Sequence, residues 1–247
     1  MEEKDEWFSA WFDSPYYHIL YAQRDEEEAA NFIKTLQHKL SIPLHAEVLD
    51  AACGKGRHAK TLFDLGLHVS AFDLSPSNIL EAKLSECPGL YFFEHDLRQA
   101  LPKANFYDAI FNFFTSFGYF DEKLENQKAF YVLANALKKG GILVLDFFNP
   151  VYVLANLVQK ETIIRQGIKF HIQRWEENGY LYKSIDFEDQ AEKFHFLEKV
   201  ELISKNDFIS YASLAGLNLI DLLGDYKLGP FDEKNSQRMI FFWAKKK

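Results

Sequence analysis

The chain has 247 residues, 48% of them hydrophobic and including 24 Phe and 12 Tyr, which suits one large globular domain and is too apolar for a disordered chain. A formal charge of −8 argues against a nucleic-acid partner, since long-range attraction to phosphates needs a basic surface. Cys53 and Cys87 offer neither a disulfide framework nor zinc-ligand spacing, so no metal site is expected.

In chain order, the aromatic, acidic opening "EWFSAWFDSPYYHILYAQ" leads into an amphipathic stretch over 25–40. Asp25 can cap it, Glu28 stands where a capping box wants an acid, and Ala29, Phe32, Ile33, Leu36 and Leu40 share one face. Residues 1–30 hold nine acids against Lys4 and Arg24, the wrong charge for a leading signal segment. No apolar run approaches the ~20 residues of a membrane span. A soluble, cytoplasmic protein without a membrane partner is expected.

A repeated alternation follows. Strand "AEVLD" precedes a helix over 57–65, and strand "HVSAFD" precedes a helix opened by Ser75 and Pro76. Strand "LYFFE" leads to Asp96, and strand "YDAIFNFF" leads to a helix from about Asp121 to Lys138. Gly140-Gly141 is expected to break the chain before strand "ILVLDFF". Five apolar strands separated by helices predict a parallel sheet covered on both faces.

From 162 to 203 the period changes to two, around turns such as Glu177-Asn178-Gly179. That pattern predicts an antiparallel insertion. A helix over 205–215 and two strands, "LNLIDLL" and "RMIFFWA", complete the chain.

The most informative stretch is "VLDAACGKGRHAKTLFDLG", residues 48–66. Gly54 and Gly56 let the backbone turn sharply and approach a ligand where a Cβ would clash. Asp73 ends the second strand, 23 residues after Asp50, close to the spacing at which an acid reaches a ribose. The same glycines, with Ala59, also satisfy the dinucleotide fingerprint. Asp50 separates the candidates: an acid just before the turn repels a pyrophosphate and suits a sulfonium compound with an amino-acid tail.

"VLDAACGKGRHA" resembles motif I of the class I S-adenosylmethionine-dependent methyltransferases, with Ala52 where that family usually has glycine. "AFDLSPSNILEAK", "EHDLRQ", "YDAIFNFFTSFGYF" and "LKKGGILVLDFFNP" resemble its later motifs in family order, covering roughly 45–245. The resemblance implies an α/β fold: a Rossmann-like seven-stranded, mostly parallel sheet with an antiparallel last strand. Added to it are an inserted antiparallel sheet and an N-terminal helical segment. Residues 1–44 would form a cap or lid, 45–160 and 204–247 the cofactor-binding core, and 161–203 the insertion, serving the acceptor pocket or a homodimer contact.

By the same resemblance the cofactor is S-adenosylmethionine. Asp50 would tend its amino-acid end and Asp73 its ribose, Asp96 would meet its adenine with Leu97 beside it, and Ala52, Gly54, Gly56 and Leu74 would also bind it. Asn112 and Phe113 would lie at its edge, and Arg24 is a candidate for its carboxylate. No universal catalytic residue is demanded, because the cofactor brings the reactive methyl. Acceptor-side candidates are Tyr17, His18, Asp146 and Asn149, with Tyr21, Asp225, Tyr226 and Arg238 behind them; His18 titrates near neutrality and suits a base. The expected activity is methyl transfer to nitrogen or oxygen of a small molecule. The rivals are an NAD-dependent oxidoreductase on the same glycine corner and a non-catalytic S-adenosylmethionine-binding protein.

Overall fold

The computed structural model describes residues 7–21 and 26–246. Short helices α1 (Trp7–Phe12) and α2 (Pro15–Leu20) precede α3 (Glu26–Leu40). The capping role expected of Asp25 lies outside the described residues. On α3, Ala29, Phe32, Ile33 and Leu36 are all buried, the face their three- and four-residue spacing sets toward the core.

Strands β1 (Glu47–Ala51), β2 (His68–Asp73), β3 (Leu90–Glu94), β4 (Tyr107–Asn112) and β5 (Leu137–Phe148) alternate with α4 (Arg57–Asp64), α5 (Pro76–Ala82) and α6 (Lys123–Ala136). After β5 come α7 (Pro150–Ala155), then β6 (Lys160–Arg165), β7 (Ile168–Glu177), β8 (Tyr180–Asp189) and β9 (Glu192–Glu201). The chain closes with α8 (Lys205–Leu214), β10 (Leu217–Leu223) and β11 (Arg238–Lys245).

The main sheet has the order β10-β11-β5-β4-β1-β2-β3. The β1–β2, β1–β4, β2–β3 and β4–β5 pairs are parallel, while β11 is antiparallel to both β5 and β10. The order reverses beside β1, so the loops after β1 and β4 part there and leave a crevice at the carboxyl ends of the strands.

Gly140-Gly141 does not break the chain before β5. The strand runs through both glycines, and its register against β4 jumps from Tyr107↔Leu137 to Ala109↔Ile142. A Cβ on Gly141 would lie 2.9 Å from the Lys138 carbonyl and 3.0 Å from that of Tyr107. The glycine is there to let a bulge fold back on its neighbour. Helix α6 accordingly ends at Ala136, short of the expected Lys138.

The insertion is a separate four-stranded sheet in the order β6-β7-β8-β9. Its inner face presents Ile168, Phe170, Ile172, Ile185 and Phe187, which pack against Trp11 and Leu20 of the first two helices. These helices are therefore clamped between the inserted sheet and the crevice. The clamp carries polar contacts: Trp11 Nε1 and Tyr21 OH donate to Glu198 Oε1 at 2.7 and 2.6 Å. Lys183 Nζ reaches Tyr21 OH and lies 3.6 Å from Glu198 Oε2.

Candidate active site

The crevice is a cavity of about 770 Å³, bounded by the β1–α4 loop, the ends of β2 and β3, residues 113–120 and the first two helices. Its floor is the glycine corner. Ala52, Gly54 and Gly56 all have left-handed φ, at 62°, 55° and 79°, so every second residue of the loop bends the backbone sharply. At Gly54 an added Cβ meets nothing within 4 Å, whereas at Gly56 it would come 2.5 Å from the Phe92 ring. Gly54 keeps space free for a ligand; Gly56 permits close packing of α4 on β3.

Asp73 locks this corner. Its Oδ2 accepts the Gly54 N–H at 2.7 Å and its Oδ1 accepts the Ser75 N–H at 2.9 Å. Ser75 in turn caps α5, accepting the Asn78 N–H at 3.1 Å. Burial raises the Asp73 carboxyl, opposed by the hydrogen bonds from Ser75 and Gly54. Asp50 is 1% exposed, and its Oδ2 has no hydrogen-bond partner. Burial, and then the charge of Asp73, push its carboxyl up to about 7. Asp50, buried with an orphaned oxygen, and the partly exposed Asp73 beside it disfavour each other's charge, and Arg57 offsets this only in part.

At the β3 end, Asp96 is gripped by Arg98, with Nε at 3.0 and 3.1 Å from its two oxygens and Nη2 at 2.7 Å. Burial would raise its pKa, but the Arg98 hydrogen bonds and charge outweigh that and hold it below the usual carboxylate range. Arg98 also pairs with Glu125 at 3.0 Å and lies 4.8 Å over the Phe120 ring.

Of the residues singled out for the cofactor, Ala52, Gly54, Gly56, Asp73, Leu74, Asp96, Leu97 and Phe113 lie on the cavity wall. Asp50 and Asn112 lie behind it. Asn112 is fully buried and donates to the Ala51 carbonyl at 2.9 Å and that of Ser116 at 3.1 Å, tying the β4 end to the β1 end. Arg24 lies outside the described residues.

On the acceptor side the candidates divide. Tyr17, His18 and Tyr21 reach the wall. Burial, followed by the charge of Lys55, lowers the His18 pKa against the opposing pull of Glu81, so its imidazole is neutral at pH 7. Asp146 is fully buried, accepting from Phe114 N–H, Tyr226 OH and Arg238 Nε. Asn149 caps α7 through Val151 N–H and donates to the carbonyls of Glu233 and Ser236. Asp225 accepts the Lys227 and Gly229 amides of a turn. The structure gathers Tyr17 and His18 at the cavity and sets Asp146 and Asn149 apart from it.

Around Tyr17 the fold assembles an aromatic collar whose other members the sequence pattern does not single out. Phe8, Phe12, Tyr17, Phe117, Tyr119 and Phe120 face the cavity together, with Phe12 ring centroids 5.0 Å from Tyr17 and 5.3 Å from Tyr119. The run "FFTSFGYF" was the available signal, but its partners come from the distant first helix.

Residues 48–141 match the family model for a methyltransferase domain. The whole chain has the fold of solved methyltransferases: an S-adenosylmethionine-dependent enzyme from Clostridium acetobutylicum superposes with a TM-score of 0.79 at 20% identity, covering 94% of this chain and 96% of that one. CcbJ methyltransferase from Streptomyces caelestis gives 0.78 at 18% identity over 99% and 100%. The sugar N-methyltransferase KedS8 from a Streptoalloteichus species gives 0.72 at 18% over 94% and 93%. At such identities the likeness establishes the fold. No curated protein matches the sequence. Outside the matched span lie both the first two helices and the inserted sheet, which supply one side of the cavity and its backing. Among the described residues no group of His, Cys, Asp or Glu is placed to hold a metal, and no helix is long and apolar enough to cross a membrane.

Proposed function

We propose that the protein transfers a methyl group from S-adenosylmethionine to the nitrogen of a small-molecule amine. The observation that carries this reading is the Asp50–Asp73 pair beneath a glycine corner with open space at Gly54. A cation relieves that pair; a pyrophosphate would add like charge to it. The donor fits the residues present: Gly54 leaves it room, Asp73 has lone pairs left for ribose hydroxyls, and Leu74, Asp96 and Leu97 line the adenine end.

When bound, the cofactor supplies an activated methyl on a good leaving group. What remains for the chain is positioning, worth ~7–11 kcal/mol of a barrier when reacting atoms are held in line, and exclusion of water. The collar of Phe12, Tyr17, Phe117 and Tyr119 shapes the acceptor half and displaces water from it. An amine reacts only in its neutral form, and His18, neutral at pH 7, can take the proton at its unprotonated ring nitrogen. The preference for nitrogen draws support from the fold neighbour described as a sugar N-methyltransferase.

Calorimetric titration with S-adenosylmethionine and with NADH tests the donor, and a panel of small amines and matching alcohols with methyl-labelled donor tests the acceptor. Donor binding with labelled amines is expected. Tight NADH binding without response to the sulfonium overturns the reading, and donor binding with no labelled product from the whole panel points to a non-catalytic binding protein.

A further inference from the structure

Phe114, on the cavity wall, and Thr115 next to it follow β4, and both have left-handed φ, at 55° and 65°. Neither is glycine, and side chains with a Cβ resist that conformation. Two adjacent residues held this way need an external hold, and the structure shows one. Asp146 Oδ2 accepts the Phe114 N–H at 2.8 Å, and the Asp146 carbonyl accepts the Thr115 N–H at 3.0 Å.

Arg238, on the neighbouring strand β11, donates Nε to Asp146 Oδ1 at 2.7 Å and Nη2 to Thr115 Oγ1 at 2.9 Å. One guanidinium thus grips both the acid and the strained residue. Tyr226 OH adds a bond to Asp146 Oδ2 at 3.1 Å, and Phe148 N–H donates to Thr115 Oγ1 at 3.2 Å. Phe114, held from behind, stacks on His58 with centroids 4.8 Å apart and planes 11° apart. Phe113, Phe114 and Ser116 line the cavity while Asp146 and Arg238 do not.

We infer that Asp146 and Arg238 are positioning residues: they force the Phe114–Thr115 corner into the shape of the cavity wall and act on the reaction only through it. Strain held by an over-determined surround is a recurring feature of functional sites, and here both the strain and its hold are visible. The inference rests on reading this cavity as the donor–acceptor site.

Hydrogen exchange of the full chain with Asp146→Asn, and separately with Arg238→Gln, tests it, alongside S-adenosylmethionine calorimetry on each. The amides of Phe114 and Thr115 are expected to exchange at least ten-fold faster, with those of Leu49 and Ile110 unchanged and donor affinity within three-fold of wild type. On an amine that the wild type methylates, kcat falls at least ten-fold with little change in the donor KM. Unchanged exchange at Phe114 and Thr115 in both variants overturns the inference, as does exchange that rises evenly across the sheet. If the wild-type chain fails to bind S-adenosylmethionine, the parent reading falls instead, and the exchange result still decides whether the corner is held as described.

Discussion

The Gly54 N–H and the Asp73 carboxylate, 19 residues apart, meet at 2.7 Å. The acid at the tip of β2 therefore shapes the glycine corner as well as facing the cavity, and a second oxygen caps the start of α5 through Ser75.

Replacements at Asp73 are expected to separate these roles. Asp73→Ala leaves the Gly54 and Ser75 amides unpaired, each at about 1–3 kcal/mol, and lowers both melting temperature and donor affinity. Asp73→Asn keeps an acceptor and most of the stability while losing the charge, and donor affinity drops about ten-fold. Thermal melts paired with S-adenosylmethionine calorimetry read the two effects; undiminished affinity in both variants removes Asp73 from the donor site.

The two glycines of the corner should fail differently. Gly56→Ala puts a Cβ 2.5 Å from Phe92 at a φ of 79° and is expected to destabilise by about 3 kcal/mol or more. Gly54→Ala has open space, costs about 1 kcal/mol for its left-handed φ, and mainly blocks the ligand. Ala52, already left-handed at 62°, gains about 1 kcal/mol on replacement by glycine. Denaturant midpoints and donor titrations on the three variants check this ordering.

Asp50 links stability and donor binding to pH. Burial and Asp73 push its carboxyl up to about 7 from an ordinary 3.8, so between those values the folded chain holds a proton that the unfolded chain releases. The stabilisation is complete below about pH 4 and is lost as pH rises through 7, at about 1.4 kcal/mol for each pH unit crossed between the two values; Asp73, also raised, acts in the same direction. The unliganded protein should melt lower at pH 8 than at pH 5.5, and Asp50→Asn should flatten that difference. A cationic donor favours the carboxylate, so its binding at pH 6 should release a proton and tighten several-fold by pH 8. Calorimetry in buffers of different ionisation enthalpy measures that release.

The clamp on the first helices is expected to control donor release. Lys183 and Glu198 are largely buried, with side chains 10% and 16% exposed, and removing Glu198 deprives the Lys183 ammonium of its carboxylate, at about 3 kcal/mol. Glu198→Ala also drops the bonds from Trp11 and Tyr21. Donor dissociation should quicken about ten-fold in stopped flow, and protease should cut within residues 7–21 sooner; equal rates in variant and wild type sink the idea.

Much of the core was legible because its signals are local. Ser75-Pro76 opens α5 as a capping residue and proline must, and period-two segments around Asn178-Gly179 pair as β7 and β8. The left-handed corner at Gly54 and Gly56 needed residues without a Cβ. Gly140-Gly141 misled because glycine marks both a strand break and a bulge, and only the partner carbonyls of Tyr107 and Asp108 decide which.

By itself, then, the amino-acid order determined the strand–helix alternation, the sharp turn after β1 and the acid at the end of β2, since periodicity, caps and backbone freedom act over a few residues. Only the tertiary structure decided where side chains at strand ends are spent. Asp146 is consumed by Arg238, 92 residues away, and Phe12 and Tyr119 become neighbours through packing that no short-range pattern encodes. Contacts between distant segments depend on how whole elements settle against one another, and that is set by the shared core.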